Sequence, residues 1–141
     1  MLDHIAYLVY FIIFTYCYYV LNKKLSTGWI FLLYLLIFVA AIYPLKLLFG
    51  YARPAYGDVV ASRWLKIILM MFASLTIFNW AYGIVNLIVD KQVQFHNTYN
   101  KPNVSGFLKS VLDGAPNIKA FAHFFFYTGG VILIYIFIQK V

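Results

Sequence analysis

Residues 29–49 read WIFLLYLLIFVAAIYPLKLLF, an apolar run in which Lys46 is the one charged residue. A helix needs about 20 mainly apolar residues to cross the hydrocarbon core of a bilayer. This run meets that length, and three further runs, residues 5–21, 64–89 and 120–139, have the same character, although the first is at the short end of the range. The four runs predict four membrane-spanning helices.

The composition of the whole chain supports the same interpretation. Of its 141 residues, 65% are hydrophobic and 11% are charged, against about 45–50% and 25% in a typical soluble domain. A soluble core of this size cannot bury so much apolar surface, whereas lipid can cover it. The sequence therefore predicts an all-α integral membrane protein, with residues 1–141 forming a single polytopic domain.

Prolines, glycines and charges between the runs set the expected helix ends. Because the apolar residues after Pro44 still need cover, we expect a kinked second helix that continues past this proline; the alternative is an end near Tyr43 and a short interfacial segment. Residues 50–63 contain glycines and a proline and are predicted to form a loop. The third helix is expected to end at residues 90–91, where the first charges follow the apolar run.

The polar stretch before the fourth run contains one more helical pattern. Over residues 104–113, apolar side chains recur at intervals of three and four residues, and Lys109 lies away from that stripe. Gly114 followed by Pro116 is a stop signal. The pattern predicts a short amphipathic helix, which either lies flat on the membrane or docks on the helices of its own chain.

The charge of the chain is positive, at +7. The cations are scattered between the runs, which argues against nucleic-acid binding and favours contact with anionic lipid headgroups. More lysines fall near residues 22–28 and 91–119 than at the opposite ends of the runs, so the positive-inside rule predicts that both termini lie outside. A bias toward Lys, Phe, Tyr, Ile and Asn is typical of AT-rich genomes, and we expect a bacterial or organellar inner membrane.

The third run carries a repeated polar pattern. Thr76, Asn79, Gly83 and Asn86 recur every three or four residues and share one helix face. One interpretation is a helix–helix seam in which the amides find partners. The other is a polar pathway for an ion or small solute. The seam is favoured because the sequence places no ionisable group in the middle of this run.

The fourth run adds a glycine pair and one histidine. Gly129 and Gly130 interrupt a bulky aromatic stretch and predict the close approach of a neighbouring helix. A membrane haem needs two facing histidines, and His123 has only His4 as a candidate partner. We therefore expect no cofactor and no metal site.

A short stretch resembles a motif of a known enzyme family. Residues 46–54, KLLFGYARP, fit Lys-x6-Arg-Pro, which resembles the first motif of the PAP2-type lipid phosphatases. In that family the lysine and arginine hold substrate phosphate, so the resemblance implies this role for Lys46 and Arg53. The family's Pro-Ser-Gly-His and Ser-Arg-x5-His-x3-Asp motifs are missing from the sequence, which leaves the nucleophile and its orienting acid without counterparts.

These features predict a non-catalytic function. We expect a small integral membrane subunit that packs within a larger membrane protein complex in an accessory or assembly role, and the 21% aromatic content suits broad lipid and protein contacts. One alternative is a small homo-oligomeric channel or transporter component lined by the polar face of the third run. Another is a degenerate lipid-phosphatase-like headgroup binder. Candidate contacts with lipid headgroups are Lys46, Arg53, Arg63 and Lys109.

Overall fold

The computed structural model describes residues 2–99 and 106–141, and every regular element in these ranges is helical. Four helices are long and apolar enough to cross a membrane, which confirms the number predicted from the apolar runs. A fifth helix is short. In chain order they are α1 (Leu2–Lys24), α2 (Thr27–Tyr56), α3 (Asp58–Tyr99), α4 (Gly106–Asp113) and α5 (Ala115–Lys140).

The backbone of α1 changes its hydrogen-bond register near its C-terminal end. Cys17–Leu21 forms a wider π-helical turn, after which Asn22–Lys24 returns to α-helix. A π turn is rare and rotates the side chains that follow it about the helix axis. Asn22, the first residue after the turn, is only 2% exposed and its side chain points toward α3.

The path of α2 is longer than predicted. The helix continues past Pro44, as expected, but it runs unbroken to Tyr56, so the loop predicted over residues 50–63 is wrong. Gly57 alone separates α2 from α3, and its φ of +83° is a left-handed conformation that glycine adopts without steric cost. A single residue therefore joins the two longest helices.

The central helix, α3, also exceeds its predicted span. It continues to Tyr99 instead of ending at residues 90–91, and its 42 residues extend about 63 Å at 1.5 Å per residue. Residues 90–99 contain neither glycine nor proline, so the helix persists after the apolar run stops. α5 is also longer than predicted, because it begins at Ala115 instead of at residue 120.

The other long helices are arranged around α3. It packs most extensively against α2 and next against α5, while α1 contacts α5 and, at its π turn, α3. The first turn of α1, Gly57 and the last turn of α5 lie at one end of the bundle, which we call the termini end. The other end of the bundle contains the turn between α1 and α2, the last turns of α3, and the short helix α4. We call it the turn end. The core contains the buried aromatic side chains Tyr10, Phe14, Tyr18, Tyr34 and Tyr82 together with aliphatic residues.

The short helix α4 falls within the range predicted for the amphipathic helix. It spans Gly106–Asp113, while residues 104 and 105 lie outside the described residues. Gly114 joins it directly to α5, which it contacts. Phe107 at its start is 85% exposed, so this apolar side chain is not docked on the described part of the bundle.

Candidate functional site

A cluster of buried polar side chains links α1, α2 and α3. The Asn22 Nδ2 donates to Asn79 Oδ1 at 2.6 Å, and the Tyr34 hydroxyl donates to Asn22 Oδ1 at 2.9 Å. The Asn79 Nδ2 donates to the Leu75 carbonyl oxygen at 2.6 Å. We call Asn22, Tyr34 and Asn79 the amide cluster. Asn79 is completely buried, so every one of these bonds forms away from solvent.

Two more residues of the predicted polar face also point into the chain itself. The Thr76 hydroxyl lies within hydrogen-bond distance of the Phe72 and Tyr34 carbonyl oxygens, at 2.9 and 3.3 Å. A Cβ on Gly83 would meet the Phe31 ring of α2 at 3.4 Å, which is ordinary contact and shows how closely α2 approaches. Thr76, Asn79 and Gly83 thus lie in a seam between helices of one chain.

The fourth residue of this face, Asn86, turns toward α5. Its Oδ1 lies 3.0 Å from His123 Nε2, and the histidine ring stacks on Tyr82 with centroids 4.1 Å apart. This bond favours the tautomer that carries its proton on Nε2, which makes the buried Nδ1 an acceptor without a partner among the described residues. One helical turn closer to the turn end, Lys119 Nζ donates a hydrogen bond to the Asp90 carboxylate at 2.8 Å.

The glycine pair of α5 lies in close contact with α1 and α3. A Cβ on Gly129 would stand 3.3 Å from Phe78, and one on Gly130 would stand 2.6 Å from Phe14 Cζ. Phe14 is fully buried and its ring stacks between two tyrosine rings. The absence of side chains at these positions therefore sets the spacing between α1 and α5.

Tyrosine hydroxyls supply a further set of interhelical bonds that the sequence did not single out. The Tyr10 hydroxyl lies 2.8 Å from Ser74 Oγ, and the Tyr18 hydroxyl donates to the His123 carbonyl oxygen at 2.9 Å. Tyr10, Phe14 and Tyr18 recur at intervals of four residues. That spacing was a signal for a single buried face of α1, and it could have identified these residues.

The candidate headgroup residues lie at different positions on the bundle. Arg63 pairs with Asp3 through two bonds of 3.0 and 3.1 Å, and Arg53 pairs with Asp58 beside Gly57. Both pairs are at the termini end. Lys46 is exposed on α2 two turns before Arg53, and Lys109 is exposed on α4.

The polar groups between the helices serve one another and the backbone. Within residues 2–99 and 106–141, no group of three or more His, Cys, Asp or Glu side chains is placed to hold a metal ion. The fold thus defines the chain as an all-helical bundle with four helices of membrane-spanning length. Comparison with protein-family models, curated proteins and solved structures gives no match.

Proposed function

We propose that this chain is a non-catalytic accessory subunit of a membrane protein complex and that its four long helices span the bilayer. The observation that carries the proposal is the contrast between its interior and its exterior. Inside, amides and hydroxyls bond between helices of the same chain. Outside, α1, α2 and α5 present large apolar side chains along their lengths. Only lipid or other apolar helices can cover such a surface.

The distribution of charge along α3 supports a bilayer position. Residues 67–89 contain no charged side chain, and Lys66 and Asp90 flank them. These two residues are about 36 Å apart along the helix axis, which fits a bilayer of about 30 Å of hydrocarbon and 40–45 Å with its headgroup regions. By the positive-inside rule we place the lysine-rich turn end inside and both termini outside, in a bacterial or organellar inner membrane.

A group of exposed phenylalanines on α5 is the surface to which we assign the partner subunit. Phe121, Phe124 and Phe125 are 72, 62 and 64% exposed and lie near the turn end. Aromatic residues, phenylalanine among them, are enriched at the cores of protein interfaces. We call these three residues the phenylalanine patch.

Purification of the tagged full chain in mild detergent tests this function. We expect a fixed set of partner chains to co-purify, and replacement of the whole phenylalanine patch by alanine should lower their recovery at least about tenfold. A matched control replaces Ile5, Leu8 and Ile12 of α1 by alanine, because they are also exposed and apolar. Recovery from that control should be unchanged.

Two results would overturn the subunit proposal. A chain that elutes alone from native membranes, with no other protein at constant ratio, has no partner complex. A homo-oligomer that makes lipid vesicles leaky would instead establish the channel alternative.

We also propose that α4 lies on the membrane surface at the turn end. Its apolar Phe107 is 85% exposed and Lys109 is exposed on the same short helix. An amphipathic helix with an exposed aromatic residue and a cationic residue is suited to the boundary between headgroups and acyl chains.

Spin labels on α4 test its position. With Cys17 replaced by alanine, a nitroxide at Phe107→Cys should collide more often with apolar oxygen, and one at Lys109→Cys more often with a water-soluble nickel complex. The physical reason is that the two labels would face opposite sides of the interface. Equal exposure of both labels to the nickel complex would show that α4 is surrounded by water.

A further inference from the structure

α1 and α2 leave an apolar gap between them, over the half of α3 that is nearer the termini end. α2 packs along α3, whereas α1 reaches this part of α3 through the Tyr10–Ser74 and Asp3–Arg63 bonds. Away from their connecting turn, α1 and α2 do not pack extensively on each other. Two grooves lie side by side in this gap, one of about 310 Å³ between α1 and α3 and one of about 180 Å³ between α2 and α3. Trp64 and Ile68 of α3 line both grooves and form their common wall.

We propose that this gap binds one phospholipid with an anionic headgroup. Its two acyl chains occupy the two grooves, and its phosphate lies beside Arg63 at the termini end. The inference rests on the bilayer position proposed above, but it does not depend on the existence of a partner subunit.

The shape of the larger groove selects a thin occupant. From Trp64 to Leu75 it extends about 16 Å along α3. An extended acyl chain is much thinner than a helix, which is about 10 Å across with its side chains. Two grooves with a shared wall also match the two acyl chains of one phospholipid, which are joined to one glycerol. A single helix would occupy only one of the two grooves.

The chemistry of the grooves selects hydrocarbon. The larger groove is lined by apolar side chains such as Val9, Ile13 and Met71 and by the ring of Tyr10. The Tyr10 hydroxyl bonds Ser74 Oγ at 2.8 Å, so its polar end is already occupied. A pocket with so few polar groups to orient a ligand favours an acyl chain over a polar molecule.

The charge at the mouth of the gap selects an anionic headgroup. The Arg63 guanidinium lies 5.8 Å from the centroid of the Trp64 ring, so it stands next to the shared wall. Asp3 accepts from both terminal nitrogens of Arg63, which leaves the Nε hydrogen for a phosphate oxygen. Cations outnumber carboxylates among the described residues of the termini end: Arg53, Arg63, Lys66 and Lys140 against Asp3 and Asp58.

Native mass spectrometry of the purified full chain tests the site. With phosphatidylglycerol or phosphatidylcholine added to the detergent, we expect one retained lipid per chain and a preference for the anionic lipid. Val9→Trp fills the larger groove and should lower occupancy at least about fivefold, because overfilling a packed site is costly. Leu8→Trp is the matched control: Val9 and Leu8 are adjacent and 50 and 56% exposed, but only Val9 lines the groove.

Three further variants test the headgroup contact and the acyl-chain contacts separately. Arg63→Gln should reduce the preference for phosphatidylglycerol about fivefold, because one surface cation contributes about that much to anionic-lipid binding. Met71→Trp fills the groove from α3, and Ile77→Trp adds the same bulk on an exposed face of α3. Circular dichroism of each variant shows that it remains helical.

Three results would overturn the proposal. One is the retention of no lipid by the unchanged chain. Another is equal occupancy in Val9→Trp and Leu8→Trp, together with equal occupancy in Met71→Trp and Ile77→Trp. The third is loss of a co-purifying protein, rather than a lipid, from Val9→Trp, since that would show that a helix occupies the gap. Failure of lipid binding would leave the partner experiment on the phenylalanine patch unaffected.

Discussion

Gly130→Ala is expected to lower the free energy of unfolding by about 1–3 kcal/mol, the usual cost of adding a methyl group to a filled interior. The new Cβ would stand 2.6 Å from Phe14 Cζ, 2.9 Å from Phe14 Cε1 and 3.1 Å from Phe78 Cδ2. Phe14 cannot move away easily, because it is fully buried and stacked between two tyrosine rings. The result should therefore be separation of α5 from α1.

The measurement is unfolding in detergent micelles, followed by circular dichroism during a denaturant titration. Gly50→Ala is the matched control, because Gly50 lies inside α2 and a Cβ there would meet nothing within 4 Å. Alanine is the better helix former by about 1 kcal/mol, so this control should be neutral or stabilising. If Gly130→Ala were as stable as Gly50→Ala, α1 and α5 would not be in close contact in the folded protein.

Asn79→Asp is expected to lower the free energy of unfolding by about 1–3 kcal/mol at neutral pH, the cost of leaving a buried polar group without its hydrogen-bond partner. The replacement preserves the shape of the side chain but puts an oxygen where Nδ2 now donates to the Leu75 carbonyl oxygen at 2.6 Å. Two oxygens then face each other in a site with no solvent exposure. The other carboxylate oxygen can still accept from Asn22.

The sign of the pH dependence follows from burial. Burial disfavours the charged form of the new carboxyl in the folded chain. The variant is therefore expected to be most stable at low pH, where the carboxyl is protonated, and to lose stability as the pH rises. The protonated carboxyl can donate to the Leu75 carbonyl oxygen, which restores the original bond at low pH.

Asn86→Asp provides the control for this second variant. Asn86 is only partly buried, and its Oδ1 lies 3.0 Å from His123 Nε2, where a negative charge is accommodated more easily. We expect a change of less than about 1 kcal/mol. Unfolding of both variants in micelles between pH 4 and pH 8 makes the comparison. If the two lost the same stability at pH 7, the amide cluster would be open to water.

The sequence predicted the locations of the long helices correctly but not the positions of all their ends. Apolar runs located all four long helices, because the transfer of each side chain to an apolar medium depends mainly on that residue and its neighbours. Their ends were misplaced at residues 50–63 and 90–99. A change from apolar to polar residues marks the limit of apolar cover, whereas the end of a helix is set by backbone conformation, here by Gly57.

For the candidate site too, the sequence indicated some features and left others undetermined. The spacing of Thr76, Asn79 and Gly83 indicated one shared face of α3, and the glycine pair of α5 indicated a close approach. The sequence did not indicate that Asn22 is the partner of Asn79, because a π turn in α1 precedes Asn22 and changes the helical phase on which such a prediction depends. It also did not pair Tyr10 with Ser74 or Tyr18 with the backbone at His123.

The amino-acid sequence by itself determined that the chain is helical, how many helices can span a bilayer and which residues share a helix face. These are local properties, fixed by side-chain hydrophobicity and the 3.6-residue repeat. Only the tertiary structure decided that α3 is central, that its amide face is filled by α1 and α2, and that a two-groove gap remains over Trp64. These features depend on how helices distant in sequence pack, since bonds and cavities between them require both partners in place.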